Sequence, residues 1–317
     1  MKSVAIAFIS AVILSGCAAS GAKHATLSSV ASFSEMETKI AQWGDAAMPN
    51  TLIVMDDDDT LTMMDCPVQS DPEQCQYIGG PAWYAWQSSI LNDPTNPYRV
   101  AKTSDDLLSI SALLLGMNNM PYTDPDIPKV LSDLTEKGAR LLVLTARGNS
   151  NVSATESQFT NLAVAQKDFL SFVKDNALLG TQSRIASIAG PVIPAACPAH
   201  IPVTYQQGVM YVSGQNKGDM LKCLMAITNA DNVRNIAFLD DTAANVQDVY
   251  KAFENSKNLN VLALHYTRLE AHKNALTQPA AGSLPDNKYQ MKANARWRAL
   301  KSMMDQELLR PNLPASN

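Results

Sequence analysis

Four short apolar runs constrain this chain most: Leu52-Ile53-Val54-Met55, Leu141-Leu142-Val143-Leu144, Ile236-Ala237-Phe238-Leu239 and Val261-Leu262-Ala263-Leu264. Each is continuous rather than alternating, so both faces of the segment must be buried. That is the pattern of parallel strands covered by helices on either side. Helical spacing fills the intervals, as at residues 127–137 before Gly138 and at residues 218–227. The order β-α-β-α-β predicts an α/β protein with a doubly wound, mostly parallel sheet. Ligands of such sheets bind beyond the carboxyl ends of the strands. Three runs lead into a polar residue able to do chemistry, Asp56, Thr145 and Asp240, and these are expected to converge.

Two segments are longer than the connections of a bare sheet. Residues 63–125 and 149–212 are expected to be insertions that form a lid or recognise a ligand. The first holds Trp83 and Trp86, three apart and expected in the core of a cap, and a helical stretch at 105–117. The second holds a helical pattern at 159–174, then a hairpin that turns at Gln207-Gly208 between Val203-Thr204-Tyr205-Gln206 and Val209-Met210-Tyr211-Val212. Ser34-Glu35-Met36-Glu37 reads as a capping box that opens a helix with Met36, Ile40 and Trp43 on one face and Gly44 as its stop. The core therefore spans 33–275, and residues 276–317 form a helical tail with Ala293, Trp297, Leu300, Met304 and Leu308 aligned.

The first 16 residues read as a targeting signal: Lys2 precedes an apolar stretch at 4–14 that is too short to span a bilayer. Leu14-Ser15-Gly16-Cys17 resembles the lipobox of bacterial lipoproteins. The resemblance implies cleavage before Cys17, acylation of Cys17 and a tether over residues 17–32. Ala18 after the cysteine implies the outer membrane, facing the periplasm or the cell surface. In that oxidising compartment, Cys66 and Cys75, nine apart, are expected to form a local disulfide, and Cys197 and Cys223 a second. Metal binding is the rival reading, but no zinc-type spacing of Cys or His is present. A net charge of −5, from 25 basic and 30 acidic side chains with no basic run, argues against a nucleic-acid partner.

The first strand runs into Asp56-Asp57-Asp58-Asp59-Thr60-Leu61-Thr62. Adjacent carboxylates repel one another and cost stability unless a cation neutralises them. An EF-hand-type calcium loop needs Gly where Leu61 stands, and its twelfth position carries no Glu. The D-x-D-x-T spacing of Asp56, Asp58 and Thr60 resembles the first motif of the haloacid dehalogenase superfamily. Three more motifs follow in the family's order over residues 51–268: Thr145 in Leu144-Thr145-Ala146-Arg147-Gly148, Lys217 in Gly214-Gln215-Asn216-Lys217-Gly218, and Asp240-Asp241-Thr242-Ala243-Ala244-Asn245.

The resemblance implies a magnesium-dependent phosphomonoester hydrolase acting on a small phosphorylated substrate through an aspartyl-phosphate. Asp56 would be the nucleophile and Asp58 the general acid and base, with Thr145 and Lys217 holding the phosphoryl oxygens. Mg2+ would be held by Asp56, by the backbone carbonyl of Asp58 and by Asp241, with Asp240 as the alternative carboxylate. Asp57 and Asp59 are expected behind the site or facing solvent. Arg147 is expected either to touch substrate or to make a salt bridge, and His265 either to line the cleft or to be a hydrogen-bonded core residue. The contrasting expectation is a non-catalytic tethered module that binds metal or a phosphorylated partner through the same cleft.

Overall fold

All four apolar runs become adjacent strands of one sheet in the computed structural model, which describes residues 24–68, 74–178, 188–192, 199–228, 230–278 and 287–308. In chain order the strands are β1 (Ala25–Val30), β2 (Thr51–Met55), β3 (Arg140–Thr145), β4 (Ala163–Val164), β5 (Lys167–Asp168), β6 (Ile188–Val192), β7 (Val203–Gln206), β8 (Val209–Tyr211), β9 (Asn235–Asp240) and β10 (Asn260–Tyr266). The main sheet has the order β1-β10-β9-β2-β3-β8-β7-β6, and β4 with β5 forms a separate small hairpin. From β1 across to β8 every pairing is parallel, while β8 with β7 and β7 with β6, at one edge, pair antiparallel.

The helices are α1 (Phe33–Ile40), α2 (Pro81–Ile90), α3 (Ser104–Gly116), α4 (Ile127–Glu136), α5 (Val152–Thr160), α6 (Phe169–Asn176), α7 (Lys217–Ile227), α8 (Ala243–Phe253), α9 (Glu270–Thr277) and α10 (Lys288–Glu307). Alternate residues of each central strand serve two separate cores. Ile53, Met55, Leu141, Val143, Ala237 and Leu239 pack under α1, α4 and α6. Leu52, Val54, Leu142, Leu144, Ile236 and Phe238 pack under α7 and α8. Burial on both faces is why these runs carry no polar alternation.

A third core lies outside the sheet. Trp83 and Trp86 of α2, with Leu107, Ile110 and Leu114 of α3, pack against Leu276 of α9 and Trp297 of α10. The rings of Trp83 and Trp297 lie 6.5 Å apart. The first insertion and the C-terminal segment therefore build one helical layer together, and both tryptophans are core residues as expected. Cys66 and Cys75 are joined by a disulfide within it. Cys223 is also disulfide-bonded; Cys197, its expected partner, and Cys17 lie outside the described residues.

Several boundaries differ from expectation. Part of the expected tether is structured, because residues 25–30 form edge strand β1 beside β10. Helix α1 starts two residues early: Ser32, not Ser34, caps it by accepting from the Glu35 amide at 3.1 Å, while Glu35 accepts from the Ala31 amide at 2.8 Å. Ser34 instead donates to Asp126. The helix expected over 159–174 is broken by β4 and β5 into α5 and α6. The 203–212 hairpin forms as expected, with Gln207 and Gly208 both at positive φ as a two-residue turn requires. It extends the main sheet through β8 and β3 rather than forming a lid.

Candidate active site

Strand β2 ends at Met55 and delivers Asp56 to the carboxyl edge of the sheet, where the Asp56 amide donates to Leu239 O at 2.9 Å. The acidic loop then wraps around one carbonyl: the amides of Thr60, Leu61 and Thr62 all converge on Asp57 O, at 3.2, 2.9 and 2.9 Å. Closing so tight a turn places Asp59 at φ 58°, a left-handed conformation that Asp tolerates better than most residues. Asp57 and Asp59 are both buried, so neither faces solvent. Thr62 donates to Asp57 Oδ1 at 2.7 Å.

Lys217 enters from the first turn of α7, whose N-cap Asn216 accepts from the Asp219 amide at 2.9 Å. Its Nζ lies 2.5 Å from Asp56 Oδ1 and 2.6 Å from Asp240 Oδ2, with the side chain 1% exposed. Gly218 lets α7 approach α8 closely enough for this reach, since an added Cβ would stand 2.5 Å from Asp248 O. Asp240 is further held by the Thr242 amide at 2.8 Å and by Asn245 Nδ2, 3.1 Å from each carboxylate oxygen. Its neighbour Asp241 is positioned through its backbone, the amide donating to Thr60 Oγ1 at 3.0 Å and the carbonyl accepting from His265 Nε2 at 3.1 Å. His265 is thus a hydrogen-bonded brace of the site.

Arg147 makes the salt bridge. Its Nε and Nη2 grip the two oxygens of Asp58 at 2.8 and 2.7 Å, and Nη1 lies 2.9 Å from Asp57 Oδ2. Thr155 and Gln158 of α5 accept from Nη1, both at 2.8 Å. Thr145 is buried at the end of β3, and its Oγ1 accepts from the Arg147 amide at 3.1 Å. The β2–β3 register pairs Met55 with Val143, which sets Thr145 at the same sheet edge as Asp56.

One residue of this site, Lys273, carries no signal in the sequence, while Asp59 takes the buried one of its two expected places. Lys273, on α9 beyond the last strand, forms an ion pair with Asp241 Oδ2. Asp59 is 2% exposed, and its Oδ2 has no hydrogen-bond partner. Lys273 carries no local signal because a lysine on a helix reads as solvated.

Burial dominates the electrostatics. It raises Asp56 well above the usual carboxylate range, against the pull of Lys217, and raises Asp59 likewise. It lifts Asp57 to about 6 in spite of Arg147, and it raises Asp241. For Lys217, burial works to lower the pKa, but Asp240 and Asp56 outweigh it and hold the ammonium above its ordinary value. Six carboxylates thus face three permanent cations, Lys217, Arg147 and Lys273. One oxygen from each of Asp56, Asp240 and Asp241 lies within 4.8 Å of the others. Buried carboxylates that outnumber the cations beside them, so that burial and mutual repulsion oppose their ionisation, form an all-oxygen donor set that fits a hard divalent cation. Asp240 meets Lys217, Asn245 and Thr242, whereas the Asp241 carboxylate meets Lys273 and, at 3.4 Å, the Thr242 hydroxyl.

A family model described as "Protein of unknown function (DUF2608)" matches residues 29–310. The chain belongs to this family. All the residues assembled above fall within the DUF2608 match, whereas Cys17 precedes it. A search of curated proteins found no match. Among the described residues of this DUF2608 chain, no helix is long and apolar enough to cross a membrane.

Proposed function

We propose that this protein is a magnesium-dependent phosphomonoester hydrolase of the haloacid dehalogenase type, tethered through an acylated Cys17 to the periplasmic side of the outer membrane. The observation that carries the reading is the buried bridge Asp56–Lys217–Asp240, with Asp241 alongside, at the carboxyl edge of a parallel sheet. Asp56 and Asp241, with the backbone carbonyl of Asp58, would hold Mg2+. Bound there, the ion would offset the repulsion between a carboxylate nucleophile and a phosphoryl dianion.

The chain's own groups account for the remaining steps. A carboxylate oxygen of Asp56 attacks phosphorus while the ester P–O bond breaks, giving an aspartyl-phosphate. Asp58 passes a proton to the departing oxygen and then takes one from the water that attacks phosphorus. The Asp56–phosphorus bond breaks and inorganic phosphate leaves. Lys217 and Thr145 hold the phosphoryl oxygens, as fixed charge and as hydroxyl donor. Arg147 grips both oxygens of Asp58, so the Asp58 side chain must turn from Arg147 to reach the leaving group.

The test is phosphate release from p-nitrophenyl phosphate. The wild-type protein is expected to need Mg2+, and Asp56→Asn to abolish turnover. If both proteins are equally inert across a broad panel of phosphoesters, the tethered binding module replaces the enzyme. The anchor is tested separately: Cys17→Ser is expected to release the protein from membranes.

A further inference from the structure

The two lysines that neutralise the carboxylate cluster are not equivalent. Lys217 has a side chain 1% exposed and bridges two carboxylates, so it cannot leave without stranding both in the core. The Lys273 side chain is 27% exposed and meets one of the candidate metal ligands, Asp241. A four-carbon stem that is already partly wet can carry its ammonium to water at little desolvation cost. The helix that bears it stays put, because the preceding residue is locked in place. His272 stacks on Tyr77 at 4.4 Å between ring centres, and the Tyr77 hydroxyl donates to His272 O at 3.0 Å. The Lys273 side chain can therefore swing while α9 remains docked.

The charge balance gives that motion a purpose. Asp59, with its partnerless Oδ2, directly precedes Thr60, whose Oγ1 accepts from the Asp241 amide at 3.0 Å. The Asp59–Asp241 side of the cluster thus holds two buried carboxylates against one ammonium, and a divalent ion there replaces a single charge with a double one. We propose that Lys273 is a built-in, displaceable counter-ion: it neutralises Asp241 in the cation-free protein, and a divalent cation binds by driving its ammonium out to solvent. The proposal rests on the metal-assisted reading above and adds that metal affinity is set by competition with this lysine.

Competition makes a prediction opposite to that of a structural role. Mn2+ binding to the metal-depleted full chain is measured by titration calorimetry, with circular dichroism confirming the fold of each variant. Lys273→Met, which keeps the stem and removes the competitor, is expected to bind Mn2+ about tenfold more tightly, because an ion that no longer has to break an ion pair gains in affinity. Lys273→Arg, a stronger bidentate partner for the carboxylate, is expected to bind it more weakly. A lysine that merely braces α9 would weaken binding when replaced by Met. In a second readout, saturating Mg2+ is expected to speed acylation of Lys273 by an amine-reactive reagent severalfold, with Lys217 protected throughout.

Equal or weaker Mn2+ binding by a folded Lys273→Met, or acylation of Lys273 unchanged by Mg2+, overturns the displacement and leaves the metal site standing. Absence of Mn2+ binding in both the wild type and Lys273→Met removes the metal site and the displacement together.

Discussion

Lys217 and Asp56 are 161 positions apart in sequence, yet their side chains meet at 2.5 Å with almost no exposure to water. Each is stable there only because of the other, and Asp240 completes the set. Lys217→Met should therefore cost about 3–5 kcal/mol, the usual penalty for stranding a buried charge, as well as ending the proposed phosphatase turnover. Pairing it with Asp56→Asn should restore part of that stability and none of the activity. Urea unfolding of the single and double variants measures the coupling; strict additivity of the two losses would show that the bridge does not act as a unit.

A site with more buried carboxylates than cations should be stabilised by a divalent ion. Because binding to the native state alone stabilises by mass action, Mg2+ at 100 times its dissociation constant should add about 2.7 kcal/mol. Thermal melts with and without Mg2+ read this directly, and Asp241→Asn should abolish the shift while keeping its own baseline melt.

His272 gives the protein a pH dependence of its stability that does not involve the carboxylate cluster. Burial depresses its pKa from 6.5 to about 4. The unfolded chain thus takes a proton near pH 6.5 that the native state refuses until about pH 4. Above pH 6.5 both states are neutral and the residue contributes nothing. As pH falls through the window between the two values, stability is lost, and a gap of this width corresponds to on the order of 3 kcal/mol. His272→Phe keeps an aromatic ring against Tyr77 and should remove that part of the acid sensitivity. Denaturant midpoints of both proteins at pH 7.5 and 4.5 test it: parallel losses would exonerate His272.

Strands β2, β3, β9 and β10 were legible because burial on both faces leaves no alternative to a continuous apolar run. Strand β1 was hidden because only Ala25 and Val30 of its six residues are buried, so it reads as a polar lead. The hairpin at β7 and β8 announced its turn but not its address, since nothing in 203–212 names β3 as the neighbour. Asp56, Thr145 and Asp240 were legible as strand ends, and Lys217 as a lysine at a helix start. Lys273 was not, because its role comes from how α9 docks after the last strand. For Asp57 and Asp59 the acidic run alone does not choose between a place behind the site and one in solvent: runs of acids normally face water, and only the clasp of Arg147 and the fold of the loop turn these inward.

The Cys66–Cys75 bridge pins the loop that follows the acidic turn to the helical layer. Closing so short a loop restricts the unfolded chain enough to stabilise by about 2–3 kcal/mol. A Cys66→Ser, Cys75→Ser double variant should lose roughly that amount. Its hydrogen exchange should quicken around α2 and α10 while the central strands stay protected. Uniform loosening of the sheet would show that the two layers unfold as one.

Gly218 sets helix preference against packing. In an exposed helix, alanine in place of glycine is worth about 1 kcal/mol. Here the added Cβ would stand 2.5 Å from Asp248 O and 2.8 Å from Ala252 Cβ, and the first of these is backbone that cannot swing aside. Overpacking of this kind costs about 1–3 kcal/mol, so the clash should match or outweigh the propensity gain. The relief available is for α7 to back away from α8, which draws Lys217 off Asp56 and Asp240. Gly218→Ala should therefore be no more stable than wild type and should lose more turnover than its melting temperature suggests. A variant that melts higher and turns over normally would show that the close approach of α7 and α8 is not what positions the lysine.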